Sequence, residues 1–419
     1  MSEVDAIFEK YLENLWDATQ DDFLRLALSR AVESYRRNRN NAFKRYPYIV
    51  EKAKQLRKIK EYSIDHMEEL AKETKDIVEE LKGNCIIAKT PEDAIKYINE
   101  VVDEGSLVIK SKSITSEELH INQHLEERGC TVYETDLGEF IIQQLKSRPM
   151  HILSPAIHVP REKVAELLSK MLGKQLPPDI PTLVGEVKRF LRQVYFKADV
   201  GISGANAIAA ETGTTFIIEN EGNAKLVTGL PKKHIVIAGL EKVVPTLQDA
   251  MLVVEVASRY ANYKAPSYVN LISCPSKTGD IEKQVVYGAH GPSEYHVVLL
   301  DNNRTKMAKD PVYKQALYCL RCGGCLYECP IYPLTAGHFG YLYMAGLGAI
   351  LTRFLIGGIE NAAPIAYTCL MCGRCKAHCP MEIDVPEMVL KLRQELAEAG
   401  LTPSWVKEGV EAITGIKIR

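Results

Sequence analysis

The 419-residue sequence contains no stretch of 18 or more uncharged apolar residues. That excludes an ordinary transmembrane helix, which needs about 20. The opening stretch, MSEVDAIFEKYLENLWD, is acidic and amphipathic and has no apolar signal core. The expected location is therefore the cytoplasm. An excess of one charge is also missing: 52 Lys and Arg against 54 Asp and Glu leave a net charge of -2. A dedicated nucleic-acid binder is far more basic, so no nucleic-acid partner is expected. No P-loop and no G-x-G-x-x-G run occurs, so no nucleotide or dinucleotide site is inferred.

Cysteine is not scarce. There are 11, and eight fall between positions 319 and 379. An odd total in a large chain of a reducing compartment argues against a disulfide framework. Clustered thiolates in that setting point to metal.

The first run is Cys319-Leu-Arg-Cys322-Gly-Gly-Cys325-Leu-Tyr-Glu-Cys329-Pro330. The second is Cys369-Leu-Met-Cys372-Gly-Arg-Cys375-Lys-Ala-His-Cys379-Pro380. Both read C-x₂-C-x₂-C-x₃-C-P. Three thiolates on one tight loop can cap one face of a cubane, while the fourth starts a departing segment. In two-cluster ferredoxins that fourth cysteine serves the other cluster. The expected cofactors are two 4Fe–4S clusters. One is assigned to Cys319, Cys322, Cys325 and Cys379, the other to Cys369, Cys372, Cys375 and Cys329. Gly323 and Gly373 sit where each loop must turn tightly, and Pro330 and Pro380 redirect the chain. Zinc prefers four tetrahedral ligands in two separated pairs, which suits these runs poorly. Helix-like sequence separates the runs, as in an α-helical ferredoxin rather than a compact β-rich one. Cys85 and Cys130 begin predicted strands and read as small buried hydrophobes; Cys274 has no assignment.

Four regions follow from the patterning. Residues 1–80 read as an N-terminal helical segment. Between Arg36 and Lys60 it carries ten basic residues and only Glu51 as an acid, a solvated helix face or a docking surface for an acidic partner. Residues 81–304 alternate short strands with helices, which argues for an α/β domain with a largely parallel sheet. CIIAK, SLVIK, CTVYET, HILSP, TTFIIEN, KLVTG, HIVIAG and YHVVLLD are the predicted strands. Thr90 and Thr115 are N-cap types, and Glu118 completes a capping-box spacing with Thr115. Asn220-Glu-Gly-Asn223 has the composition of a hairpin turn. Residues 305–400 form a helical region around the cysteines, and 401–419 a tail. Within it, 339–357 is strongly apolar but holds Arg353 and four glycines, so it is expected to be a buried helix or a partner contact.

Several phrases in the α/β region are too polar for plain core. They are Lys110-Ser-Lys-Ser113, Glu134-Thr-Asp-Leu-Gly-Glu-Phe140, Gly201-Ile-Ser-Gly-Ala-Asn206, Ala210-Glu-Thr-Gly-Thr214, Asn220-Glu-Gly-Asn223 and Ser276-Lys-Thr-Gly-Asp-Ile-Glu282. In this order, with the two cysteine runs, they resemble the lactate-utilization iron–sulfur protein family over residues 55–395. The resemblance implies a LUD domain, similar to sugar-phosphate isomerase and CoA-transferase-like α/β folds, joined to an α-helical ferredoxin domain with two clusters. It also implies two partners: a cysteine-rich subunit like that of heterodisulfide reductase, and a second LUD protein. The set would oxidise L-lactate, or a similar 2-hydroxy acid, to pyruvate. It supplies no catalytic residue.

Physically, Lys110, Lys112, Ser203, Gly204 and Asn206 are a candidate site for a small carboxylate or phosphate, with Gly213, Thr214 and Thr215 as a second polar loop. Turn chemistry is the rival reading. His120 and His124 are spaced for a shared metal but lack a third ligand, and His151 and His158 are either pocket-lining or structural. The expected role is an electron-transfer subunit of a cytoplasmic oxidoreductase complex. The alternatives are a relay in a heterodisulfide-reductase-like complex with another substrate, a LUD enzyme with its own anion site, or a scaffold.

Overall fold

A computed structural model describes residues 3–416. Four helices come first: α1 (Glu3–Gln20), α2 (Asp22–Arg45), α3 (Ile49–Asp65) and α4 (Met67–Glu80). In α2, Leu24, Leu28, Val32 and Tyr35 recur at helical spacing and are buried, and the Asp21 side chain accepts the Leu24 N–H at the start. This segment is not a separate appendage. Tyr35 Oη donates to the Tyr260 carbonyl, the Arg57 guanidinium lies over the Tyr318 ring, and Lys60 donates to the Glu241 carbonyl. Part of the basic stretch therefore faces inward, with Lys60 only 3% exposed. Other members, such as Arg37, Lys44 and Lys58, remain on the surface.

Twelve strands follow: β1 (Asn84–Ala88), β2 (Leu107–Lys110), β3 (Thr131–Glu134), β4 (Val200–Ser203), β5 (Ala207–Ala209) and β6 (Thr214–Glu219) in the first half. The second half holds β7 (Lys233–Gly239), β8 (Val243–Val244), β9 (Tyr268–Ile272), β10 (Lys277–Thr278), β11 (Val286–Tyr287) and β12 (Glu294–Leu300). Six of them form one sheet in the order β1-β12-β7-β4-β2-β3, with every pairing parallel. The central strands β4, β7 and β12 are nearly continuous apolar runs, as strands covered on both faces must be. A smaller sheet, β8-β5-β6-β9, is mainly antiparallel, and β10 and β11 make a separate hairpin.

The helix Pro91–Val101 begins as expected, with a reciprocal capping box between Thr90 and Asp93. Other details differ. Ser113, not Thr115, caps the helix Ile114–Glu117, because Glu118 is drawn elsewhere. HILSP is a run of bends rather than a strand. KLVTG is not a strand but part of the helix Asn223–Gly229, so 220–223 is not a hairpin turn. The cause is Glu219: its carboxylate at the end of β6 accepts the N–H groups of Ala224 and Lys225, both at 2.8 Å, and starts a helix there. The segment 339–357 is helical only over Ala345–Leu355, and that helix is buried. Residues 404–414 of the expected tail form a helix. Among the described residues, no helix is long and apolar enough to cross a membrane.

One polar network crosses the whole interior. Arg304, just after β12, is fully buried. Its guanidinium donates to Glu118 at 2.6 and 3.0 Å and to Glu241 at 2.5 Å. Tyr343 Oη also donates to Glu118 (2.5 Å), and Asn302 links Glu118 (2.9 Å) to the Leu355 carbonyl (2.7 Å). Truncating one member of such a network strands the others without water. Arg304→Met is therefore expected to cost about 3–5 kcal/mol of stability. Denaturant titration checks this; a loss below about 1 kcal/mol would contradict it.

Candidate metal centre and the adjoining cavity

The two cysteine runs fold alike. In each, a loop carries three cysteines and then a one-turn helix, Gly324–Glu328 or Arg374–His378. Both loops use left-handed backbone at matching places: Arg321 (φ 60°) with Met371 (φ 51°), and Gly323 (φ 77°) with Gly373 (φ 74°). A residue with a side chain rarely adopts this conformation, so glycine suits 323 and 373. Turning the chain this way aims backbone N–H groups at sulfur. Arg321 N–H approaches Cys319 Sγ at 3.4 Å, and the thiol of Cys322 receives the N–H of Gly324. Cys329 receives the N–H groups of Tyr332 and Ile331, and Cys379 those of Ile383 and Met381.

All eight thiols line one cavity, whose other walls are mostly apolar. They fall into two sets that influence one another electrostatically. Cys319 and Cys379 both act on Cys322 and Cys325. Cys369 and Cys372 both act on Cys329 and Cys375. Each set thus combines three thiols of one run with the last thiol of the other, and the sets meet where Cys375 acts on Cys325. Burial, then neighbouring thiols, pushes Cys322 and Cys375 up to about 12. A thiol must lose its proton to ligate a metal, and the metal's positive charge favours the thiolate. Among the described residues no three Cys, His, Asp or Glu side chains converge on a single ion. Gly346 leaves room for the thiol, since a Cβ there would lie 2.9 Å from Cys369 Sγ. The buried Glu328 ties the runs together, facing Arg374 at 3.2 Å and His378 at 3.7 Å from the second run and Arg36 at 3.3 Å from α2.

The surroundings of the two sets differ. Cys372 is exposed, and Leu370 beside it is 63% exposed. Cys322, by contrast, also lines a second cavity, of about 540 Å³, with residues that follow strands of the parallel sheet. Ile114, Ile152, Leu320, Arg321 and Cys322 line both spaces.

The anticipated anion residues divide around that second cavity. Lys112, Gly204 and Asn206 line it; Lys110 and Ser203 do not. Lys110 points down into the protein, 1% exposed, donating to Glu117 (2.5 Å) and Ser116 (3.1 Å) and pairing with Glu134 (2.8 Å). Burial opposes its charge, but the two carboxylates more than offset that and hold its pKa above the ordinary value. Ser203 Oγ is fully buried against His234 Nε2 at 2.8 Å. Asn206 accepts the Ile218 N–H through its Oδ1 (2.8 Å). Two cavity residues had not been anticipated: Lys242, which follows the end of β7, and Arg321. A cation just past the carboxyl end of a central parallel strand is itself a usable signal.

Other candidates resolve as structural. His151 is buried, stacked on Tyr327 at 4.5 Å, and pushed down to about 3 by burial and then by Lys112. His124 bonds Asn99 at 2.9 Å. Thr214 and Thr215 bond Ser273 and Tyr295, both at 2.8 Å, away from the cavity. Cys85 and Cys130 are buried.

Comparison with known proteins fits this geometry. The LUD domain family matches residues 71–300, and the 4Fe–4S dicluster domain family matches residues 315–383, which include every cysteine of both runs. Lactate utilization protein B of Shouchella clausii is 35% identical over 399 residues, covering 94% of this chain and 81% of that protein. The chain belongs to the lactate utilization protein B family. The namesake from Bacillus thuringiensis is 33% identical over 394 residues, covering 93% of this chain and 81% of its own. Among solved structures, a DUF162 family protein from Deinococcus radiodurans aligns with 56% of this chain and 98% of its own, at 12% identity and TM-score 0.31. Membership gives this protein an iron–sulfur role in lactate utilization.

Because Lys110 pairs with the buried Glu134 as well as with the half-buried Glu117, Lys110→Met is expected to destabilise the fold by about 3–5 kcal/mol. Lys112→Met, on the cavity wall, should cost about 1 kcal/mol or less. Paired thermal melts decide; equal losses would show that the two lysines are not so divided.

Proposed function

We propose that the chain is the electron relay of a lactate-oxidising complex, carrying two 4Fe–4S clusters with crossed ligation. One cluster takes Cys319, Cys322, Cys325 and Cys379; the other takes Cys369, Cys372, Cys375 and Cys329. The grouping of the thiols, three from one run with the last from the other, is the observation that carries this. When bound, the clusters supply one-electron chemistry. The chain's own residues hold the thiolates, donate N–H groups to sulfur and keep water away with apolar walls. Oxidation of lactate to pyruvate removes two electrons and two protons from a carbon substrate. The LUD domain presents no recognised flavin or nicotinamide motif for that step. It falls to a partner, a cysteine-rich subunit like that of heterodisulfide reductase, with a second LUD protein in the complex. The exposed face around Cys372 and Leu370 suits electron exchange with a partner.

Anaerobically purified protein should hold about eight irons per chain. Cys379→Ala should disturb the centre of Cys319, Cys322 and Cys325 while sparing the other, and Cys329→Ala the reverse, as read by EPR after dithionite. Near-stoichiometric zinc with no visible absorbance would sink the cluster assignment.

The relay role has its own test. The isolated chain should be reduced by dithionite yet not by L-lactate, and adding the cysteine-rich partner should restore lactate-dependent bleaching of the clusters. Lactate turnover by the isolated chain with an artificial acceptor would make it an enzyme instead.

A further inference from the structure

The second cavity has a strongly uneven lining. Three cations line it: Lys112, Lys242 and Arg321, the last of these within the first cysteine run. None of their side chains donates a hydrogen bond to a carboxylate among the described residues, although the buried Glu241 acts on both Lys242 and Arg321 from a distance. Lys112 Nζ is buried without a hydrogen-bond partner, and its nearest acid, Glu139, lies at 3.8 Å. Lys242 is 8% exposed and, among the described residues, has no hydrogen bond or ion pair. The Arg321 guanidinium lies over the Tyr343 ring, 4.6 Å from its centre. Arg321 and Lys242 repel one another, and the ammonium groups of Lys112 and Lys242 are withdrawn from water without a hydrogen-bond partner, so the arrangement favours an anion. The same lining also carries Asn220 and Asn223, which offer amides to a hydroxyl or carbonyl, and Asp136, Glu219 and Glu221, which repel a second negative charge. The volume, about 540 Å³, lies within the range of small-molecule sites.

We propose that this cavity binds a small monocarboxylate, held by Lys112, Lys242 and Arg321 directly beside the first cluster, and that the bound anion lowers that cluster's reduction potential. The second half rests on the cluster reading above; the first does not. The physical reason is linkage. Cations beside a cluster favour the extra electron, and an anion seated on them cancels that help. By reciprocity, an electron on the cluster weakens the anion's hold by the same factor. The chain would thus load a carboxylate when oxidised and release it when reduced.

The test uses the full, iron-replete chain with L-lactate, pyruvate and inorganic phosphate as probes. Calorimetry should give one saturable site per chain for a carboxylate. A tenfold weaker hold on the reduced protein corresponds to a fall of about 59 mV in potential at saturating carboxylate. Lys242→Met and Lys112→Met should each weaken binding at least tenfold, with iron content and visible spectrum unchanged. Iron-replete protein that binds neither carboxylate, or binds phosphate alone, overturns the site, as does binding untouched in both variants. Carboxylate binding without any shift in potential overturns the coupling and leaves the site standing. Carboxylate binding by a chain that cannot assemble 4Fe–4S centres keeps the site and overturns the cluster reading.

Discussion

A guanidinium with no access to water sets the terms for this fold. Arg304 can be buried only if its fork is filled, and Glu118 and Glu241 fill it. Those three residues come from different parts of the chain: after β2, after β7 and after β12. Tyr343 and the Leu355 carbonyl join them from the helical region that carries the cysteines. A buried ion network of this kind adds little net stability over an apolar core, but it tolerates few alternative arrangements. It therefore fixes how the parallel sheet meets the thiol region, and with it the place of Lys242, the neighbour of Glu241.

The two thiol sets share backbone geometry yet sit in unlike surroundings. Residues Arg321 and Met371 occupy the same left-handed position, but one is a cation facing a cavity and the other is not. The loops are equivalent as ligand holders; what packs against them differs. The first set lies against the sheet's loops through Cys322, and the second reaches solvent through Cys372. A relay built this way has an inner end and an outer end.

The N-terminal helices belong to the same construction. Arg36 reaches the buried Glu328, Arg57 covers Tyr318, and Gly324 has no side chain where the Tyr35 hydroxyl stands, 2.2 Å from where a Cβ would be. Through these contacts the basic helices brace the first cysteine loop rather than only facing solvent.

Much could be read from the sequence alone. The cysteine spacing, the glycines at 323 and 373, the strands β1, β2, β3, β6, β7 and β12, and the helix after Thr90 are all local signals, written in neighbouring residues. Periodicity carries them because each depends on the chain's own geometry. Other features were decided only in three dimensions. Lys110 and Lys112 are two residues apart in one polar phrase, and only the packing of Glu134 and Glu117 sends one into the core and leaves the other on the cavity wall. KLVTG alternates no differently from a strand; the carboxylate of Glu219 makes it a helix. Lys60 looks like a surface lysine until the Glu241 carbonyl meets it. In each case the deciding partner is distant in sequence or off the element itself. Local pattern determines what a segment can form, while burial and long-range charge pairing determine which way its side chains must face.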